Sequence, residues 1–210
     1  MRRHSIFVVW VLLGFAFVRP PCVVRAETVL GVRGGATFAS LSIEDSYPGV
    51  EYSNRDGFMA GVSAGMSVND WLWIRFEPSY VQKGVVVDWP AGADSLDNTQ
   101  EYDYVMFPVN AKAGASLGPV NPFGVVGFAL GFVASKETVL KNGMPYPDPD
   151  MKDVDFTLDL GAGVEIPAGS LGIVVEGRYS MGLTDIAPDN STSSTKTKTW
   201  MIMGGVDFKL

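Results

Sequence analysis

The chain contains one cysteine, Cys22, and one histidine, His4, among its 210 residues. A single cysteine excludes an internal disulfide and a structural zinc site. Both residues fall in residues 1–26, which have the features of a cleaved leader, so the mature protein has neither a thiol nor an imidazole. Serine–histidine and cysteine–histidine catalysis are thereby excluded. We therefore expect no catalytic residue, no cofactor and no metal ligand.

Positive charge is also scarce in this sequence. Lysine and arginine number 16 against 23 aspartates and glutamates, which gives a formal net charge of −7. Nucleic-acid binding depends on basic patches that neutralise phosphates, so the composition argues against nucleic acid, and we expect no nucleic-acid partner. The composition is 47% hydrophobic and only 19% charged, which is too apolar for a disordered chain. The length fits one domain, or at most two small ones.

Residues 1–26 predict a secretory signal peptide. Two arginines follow the first methionine, Ile6–Val18 is an uncharged apolar run, and Ala26 ends a cleavage pattern of small and apolar residues. The run is too short to span a bilayer comfortably, which argues against a membrane anchor. A lipid attached at Cys22 is disfavoured because Arg-Pro-Pro precedes it. We predict cleavage after Ala26 and a single domain over residues 27–210.

The rest of the chain has no apolar run long enough for a membrane-spanning helix. Hydrophobic residues instead alternate with a period of two, which is typical of strands whose two faces meet different surroundings. Eight segments show this pattern. They are Val29–Ala39, Gly57–Val68, Trp71–Val81, Tyr104–Ser116, Phe123–Val133, Val154–Ile166, Leu171–Gly182 and Thr199–Leu210.

Charge separates the two faces of these strands. On the seven clearest strands the apolar faces carry no charged residue, whereas the opposite faces carry eleven. We predict that eight of the eleven form a charge network inside the fold. These eight are Arg75, Glu77, Lys112, Asp155, Asp159, Glu165, Glu176 and Arg178. Asp155 and Asp159 lie on one face of one strand and could also be a catalytic carboxylate pair, but an interior ion-pair network is the favoured interpretation.

The heights of these residues along their strands suggest particular partners. Counted from the short-turn end, Glu77 and Lys112 lie at similar heights on neighbouring strands. Asp159 and Arg178 are matched in the same way. We therefore predict the ion pairs Glu77–Lys112 and Asp159–Arg178, with Arg75 and Glu176 as the next candidates if barrel shear shifts the register.

The predicted connections alternate strictly in length. Three are short, at Asn69–Asp70, Leu117–Asn121 and Pro167–Ser170. Four are long, at Ser40–Asp56, Val86–Glu101, Ala134–Asp153 and Thr184–Lys196. Asp148, Asp150 and Asp153 make the third long connection acidic, but they lack the spacing of a calcium loop, so we expect a solvated loop. The alternation places both chain ends on the side of the short turns.

Two barrel types fit this pattern. A lipocalin-like barrel faces its apolar residues inward to a ligand, whereas an outer-membrane barrel faces them outward to lipid around a polar interior. Charges of both signs on one face, apolar faces of about 9–13 residues and alternating connection lengths favour the membrane form. We predict an all-β fold, an eight-stranded antiparallel up-and-down transmembrane β-barrel. Aromatic residues near the strand ends could form interfacial girdles. They are Trp71, Phe123 and Phe208 on the short-turn side and Phe38, Tyr80 and Tyr104 toward the long loops.

Four segments resemble one family of small barrels. They are GVRGGATFAS at Gly31–Ser40, RFEPSYVQKG at Arg75–Gly84, YVMFPVNAK at Tyr104–Lys112 and EGRYSMGLTDI at Glu176–Ile186. In this order and spacing they resemble the PorT-family, porin-like outer-membrane β-barrels, which are eight-stranded like the OmpX and OmpA barrels. The resemblance implies outer-membrane lipid and the outer-membrane assembly machinery as partners. Members usually end in an aromatic residue that this machinery recognises, whereas this chain ends Phe208-Lys209-Leu210.

The predicted fold limits the function. Eight strands leave an interior only wide enough for side chains, so we do not expect general porin activity or an enzyme. We expect a monomer in the bacterial outer membrane, with periplasmic termini, a plugged polar interior and a structural or surface-interaction role. A narrow channel or a small-ligand carrier is the alternative. The sequence does not identify the extracellular partner.

Overall fold

A computed structural model describes residues 27–43, 49–90, 97–141, 143–145, 147, 151–187 and 194–210. The predicted signal peptide at residues 1–26 lies outside the described residues, and so do Asp148 and Asp150 of the acidic loop. Asp153 of that loop is described, and its carboxylate lies 2.7 Å from the Lys136 ammonium. Among the described residues, no helix is both long and apolar enough to cross a membrane.

The described chain forms one antiparallel sheet of nine strand segments. They are β1 (Thr28–Ile43), β2 (Glu51–Ser67), β3 (Leu72–Phe76), β4 (Ser79–Asp88), β5 (Asn98–Gly114), β6 (Asn121–Leu140), β7 (Val154–Ala168), β8 (Leu171–Gly182) and β9 (Thr195–Lys209). Successive segments pair with each other except β3 and β4, which both pair with β2 and β5, and β9 pairs with β1, which closes the sheet into a ring.

One predicted strand is divided into two segments. β3 and β4 are both parts of the third strand, and both pair with β2 on one side and β5 on the other. The division falls at Glu77 and Pro78, because proline has no N–H to donate to the ladder. Backbone bonds flank the break, from Glu77 N to Pro108 O at 3.1 Å and from Val62 N to Pro78 O at 3.1 Å. The ring therefore has eight strands, as predicted.

Side-chain exposure shows which face points outward. Val32, Val109 and Ile202 on the apolar faces are 51%, 52% and 60% exposed. Arg33 and Asp155 on the opposite faces are buried inside the barrel. A barrel with an apolar exterior and a charged interior suits lipid rather than water. The fold is thus an eight-stranded transmembrane β-barrel, and the inside-out lipocalin alternative is wrong.

The strands extend further at the end that carries the long loops than the sequence predicts. β5 begins at Asn98 instead of Tyr104, and β6 ends at Leu140 instead of Val133. The two strands remain paired over this extension. Beyond the apolar band both faces of a strand can be polar, so the period-two signal disappears although the hydrogen-bonded ladder continues. The predicted long connections were therefore too long.

Two of the predicted girdle aromatics point inward. Tyr104 and Phe123 are buried inside the barrel, whereas Trp71 and Phe208 lie on its surface. Tyr104 belongs to an apolar layer across the interior toward the long-loop end. This layer contains Met59, Val81, Tyr102, Tyr104, Met106, Ala129, Met201 and Met203. Gly35 faces both Met59 and Met203 across its two strand neighbours, which leaves room for their side chains.

Two aspartates anchor the chain where it leaves the barrel at the long-loop end. Asp97 Oδ1 accepts a hydrogen bond from Trp89 N at 2.8 Å, and Asp97 Oδ2 lies 3.1 Å from the Lys141 ammonium. Asp185 Oδ1 accepts bonds from Thr195 N at 2.8 Å and Ala187 N at 3.0 Å. Backbone N–H donation favours the charged carboxylate. The bond from Trp89, with the ammonium of Lys141, lowers the pKa of Asp97, and the bonds from Thr195 and Ala187 lower the pKa of Asp185.

We predict that an arginine on the outer surface prevents insertion. Val109 lies in the middle of the apolar face of β5, where a cation costs roughly 2–4 kcal/mol. Val109→Arg should lose the mobility difference between unboiled and boiled samples on a detergent gel. Leu117→Arg is the matched control, because Leu117 lies in a short turn and is 68% exposed. Normal heat-modifiability of Val109→Arg would contradict the assignment of the faces.

We predict that acid loosens these two anchors. Because each pKa is lowered on folding, the stabilisation is complete above the ordinary aspartate pKa of about 4 and is lost as pH falls through the folded value. Hydrogen–deuterium exchange at the Trp89 and Thr195 amides should accelerate as pH falls below about 4, after correction for intrinsic exchange. Asp97→Asn should remove this pH dependence at Trp89 and leave it at Thr195. Equal pH dependence at Trp89 in both proteins would refute the assignment.

Candidate functional site

Charged side chains fill the middle of the barrel around Glu77. Its Oε2 accepts hydrogen bonds from Arg178 Nη2 at 2.7 Å and from Asn110 Nδ2 at 2.6 Å. Its Oε1 lies 3.6 Å from Arg75 Nη1 and 4.0 Å from Arg33 Nε. Three guanidinium groups therefore surround one carboxylate. They come from strands in different parts of the ring, which ties opposite walls together through the lumen.

Other carboxylates complete this group. Glu176 bridges two arginines, with Arg178 Nη2 at 2.5 Å and Arg75 Nη2 at 2.9 Å. Arg178 Nη1 also lies 3.7 Å from Asp159, and Arg33 Nη2 lies 2.6 Å from Asp207. We call these residues the central cluster. It consists of Arg33, Arg75, Glu77, Asn110, Asp159, Glu176, Arg178 and Asp207.

A second group, the short-turn cluster, consists of Lys112, Glu165 and Lys209. Glu165 lies 2.5 Å from the Lys112 ammonium and 3.6 Å from the Lys209 ammonium. Lys112 also lies 4.4 Å from the centre of the Phe123 ring, which is within the range of a cation–π contact. The cluster lines a cavity of about 200 Å³ at the short-turn end of the barrel.

The third group, the long-loop cluster, consists of Lys83 and Asp155. Their charged atoms are 3.2 Å apart, and both side chains are almost completely buried. Asp155 also accepts hydrogen bonds from Thr197 at 2.7 Å and Thr184 at 3.3 Å. Lys83 lies 4.9 Å from the centre of the Tyr104 ring. The carboxylate and the aromatic ring therefore compensate for the burial of the ammonium, and the two hydroxyls stabilise the buried carboxylate.

Inward-facing glycines make room for these side chains. Gly127 lies opposite Asn110, and a Cβ at residue 127 would overlap the Asn110 amide. Gly205 lies opposite Arg33, and a Cβ there would be 2.7 Å from Arg33 Nη1. A long polar side chain can thus cross a neighbouring strand only where that strand has no side chain.

The structure places all eight sequence-predicted network residues inside the barrel. It brings Asp159 and Arg178 together at 3.7 Å. The predicted Glu77–Lys112 pair is wrong, because Lys112 binds Glu165 and Glu77 binds Arg178. The reason is register, since Trp73 pairs with Lys112 and Phe76 pairs with Val109. Lys112 therefore lies about four residues nearer the short-turn end than Glu77.

Sequence reasoning left five members of the three clusters out of the network. Three of them were assigned to the polar faces but not to the network, namely Arg33, Asp207 and Lys209, and Asn110 carries no charge. Lys83 lies beyond the predicted end of the third strand, although Ser79, Val81 and Lys83 continue one alternating face. Extending that alternation by two residues would have identified Lys83.

The arrangement obstructs the lumen. The residues around Arg178, Asp159 and Met59 leave a void of only about 20 Å³, which is room for about one water molecule. Glu77 Oε1 and Arg75 Nη1 have no hydrogen-bond partner among the described residues, so charge attraction across 3.6 Å holds them. The described residues contain no cluster of three or more His, Cys, Asp or Glu side chains suited to a metal ion.

Comparisons with known proteins agree with this geometry. A family model for the outer membrane protein beta-barrel domain matches residues 25–187. The structure is similar to Neisserial surface protein A (NspA), with 19% identity, coverage of 86% of this chain and 97% of that chain, and a TM-score of 0.50. The structure is also similar to OprG from Pseudomonas aeruginosa, with 14% identity, coverage of 88% of this chain and 96% of that chain, and a TM-score of 0.56. A major outer membrane protein from Thermus thermophilus has 13% identity, with coverage of 87% of this chain and 99% of that chain and a TM-score of 0.51. At these identities the likeness shows the fold alone. Among curated proteins, none matches this sequence.

We predict strong coupling within the central cluster. Arg178→Met leaves Glu77, Glu176 and Asp159 short of a cation and should destabilise the folded barrel by about 3–5 kcal/mol. Combining it with Glu77→Gln should cost less than the two single changes added together. Denaturant unfolding in lipid vesicles measures all three variants. Arg178→Met combined with Lys141→Met, on a rim residue, should be additive. Additivity of the Arg178 and Glu77 changes would contradict the coupling.

Proposed function

The chain belongs to the outer membrane protein beta-barrel domain family, and we propose that it forms a closed, non-conducting barrel with a structural or surface-interaction role. As a member of this family it is a small β-barrel protein of the bacterial outer membrane. The finer role is our inference from the interior and from the loops.

The central cluster is the observation that best supports a closed, non-conducting barrel. It joins β1, β3, β7, β8 and β9 across the lumen through ion pairs of 2.5–4.0 Å. A hydrogen bond from Asn110 to Glu77 adds β5. Moving an ion through it requires separating buried opposite charges, which is costly without replacement partners. The interior thus supports rigidity, and the long loops supply the variable surface.

The alternation of connection lengths supports an orientation. Barrels of this class have short periplasmic turns and longer extracellular loops. We therefore infer that both termini are periplasmic and that the four long connections face outside. Outer-membrane lipid and the assembly machinery are the partners that this orientation requires, and a ring without open strand edges suits a monomer.

We also infer that the protein is not an enzyme. After residue 26 the sequence has no histidine or cysteine, and Asp155 and Asp159 are occupied by Lys83, Ser180 and threonine hydroxyls. The segments that resemble the PorT family support a place among porin-like barrels, but transport does not follow from them.

The alternative of a narrow channel or small-ligand carrier has one observation in its favour. The cavity at the short-turn end is large enough for several water molecules or a small solute. It is lined by charges of both signs, including Lys112, Glu165 and Asp207. The central cluster lies between this cavity and the long-loop end, which favours a closed vestibule.

We predict that the purified barrel conducts no ions. Folded protein, verified by heat-modifiability, should give no single-channel steps in a planar bilayer at high salt. A general porin inserted in the same bilayer is the positive control. Steady, reproducible current steps from the wild-type protein would contradict the closed-barrel proposal and support the narrow-channel alternative. The double variant Glu77→Ala, Arg178→Ala, which removes the middle of the cluster, should conduct more than the wild type.

A further inference from the structure

Two lysines continue the lipid-facing side of β9 beyond its apolar part. Residues on this strand alternate between exposed and buried, and Lys196, Lys198, Trp200 and Ile202 are all exposed. Lys196 and Lys198 therefore point away from the lumen, in line with the residues that face the hydrocarbon. This sets them apart from Lys83 and Lys112, which point inward.

Their height matches that of lipid headgroups. From Leu210 to Trp200 the outward residues are apolar or glycine, and ten residues at about 3.3 Å each, tilted by about 40°, cover about 25 Å. That is the height of the apolar band of such barrels. Lys198 then lies about 5 Å beyond the band and Lys196 about 10 Å beyond it, which is the depth of headgroup phosphates.

Neither lysine has a carboxylate partner within the part of the chain that the structure describes. Across the strand pairing, Lys198 faces Ser40 on β1 and Met181 on β8, and Lys196 faces Ser42. Other lysines at this end are paired, since Lys136 contacts Asp153 and Lys141 contacts Asp97. Two ammonium groups on one strand without a carboxylate partner among the described residues point to an external anion.

Aromatic rings lie directly below these ammonium groups. The Tyr179 and Trp200 rings are 4.7 Å apart at 39°, and Phe38 pairs with Trp200 on the other side. Tyrosine and tryptophan at this depth anchor a barrel at the boundary between hydrocarbon and headgroups. The patch thus presents an apolar, aromatic lower part and a cationic upper part, which is complementary to an anionic amphiphile.

We propose that Lys196, Lys198, Trp200 and Tyr179 form a docking site for a phosphorylated glycolipid of the outer leaflet. The lysine Cα atoms are about 7 Å apart, so two flexible ammonium groups can converge on one phosphate while the rings contact the acyl region. The site rests on the proposed orientation, in which the long loops face outside. It goes beyond the proposed function because the barrel needs no particular lipid to be closed.

Native mass spectrometry of the detergent-purified, folded protein tests the site. The probes are lipid A with both phosphates, its dephosphorylated form and phosphatidylglycerol. Each lysine near a charged membrane surface contributes a factor of about five in affinity. Lys196→Gln with Lys198→Gln should therefore weaken binding of bisphosphorylated lipid A about 25-fold, and the double arginine variant should retain it.

The control pair is Lys141→Gln with Lys209→Gln, which changes net charge equally at sites away from the patch. Equal loss in both pairs would mean attraction by overall charge and would overturn the site. Equal binding of phosphatidylglycerol would also overturn it, because the glycolipid would then not be selected. Competition by inorganic phosphate alone would indicate a free-anion site instead.

An epitope inserted at residue 143 and reached by antibody on intact cells checks the orientation independently, while the conductance experiment tests the closed barrel.

Discussion

The compensation of charge inside a closed sheet is the constraint on which the rest of this structure depends. Glu77 forms ion pairs with three arginines, and these arginines also form ion pairs with Glu176, Asp159 and Asp207. A charge in such an interior is tolerated only with a partner, so each strand must present its polar residues at a height set by the opposite wall. The strand register and the inward glycines follow from this requirement, within a lumen that eight strands keep narrow.

Much of the fold could be predicted from the sequence, because lipid and lumen impose opposite demands on successive residues. The alternation alone predicts that Val109 and Leu160 face outward. It equally predicts that Asn110 and Asp159 face the lumen. The partners inside the barrel could not be predicted in the same way. Which charges meet depends on stagger between strands, which the sequence does not display, and the four-residue offset between Glu77 and Lys112 illustrates this. Lys83 was missed because the alternation was followed only as far as the apolar band.

The barrel meets three surroundings, and each leaves a different signature. Hydrocarbon selects the apolar outer band, the lumen selects paired charges, and the headgroup layer meets the Lys196 and Lys198 side of β9. The apolar layer of methionines around Tyr104 fits none of these simple classes. It separates the central cluster from the long-loop cluster with flexible side chains that fill the space above Gly35.

The glycines that face polar side chains have a consequence for how this barrel can evolve. Arg33 occupies the space that Gly205 leaves empty, and Asn110 does the same over Gly127. A larger residue at either glycine is compatible with the fold only if its counterpart on the adjacent strand shrinks at the same time. In homologous barrels, a change at one residue of such a pair should therefore accompany a change at the other. Insertions within these strands should be of two residues, because an insertion of one residue would turn the following side chains to the opposite face of the sheet.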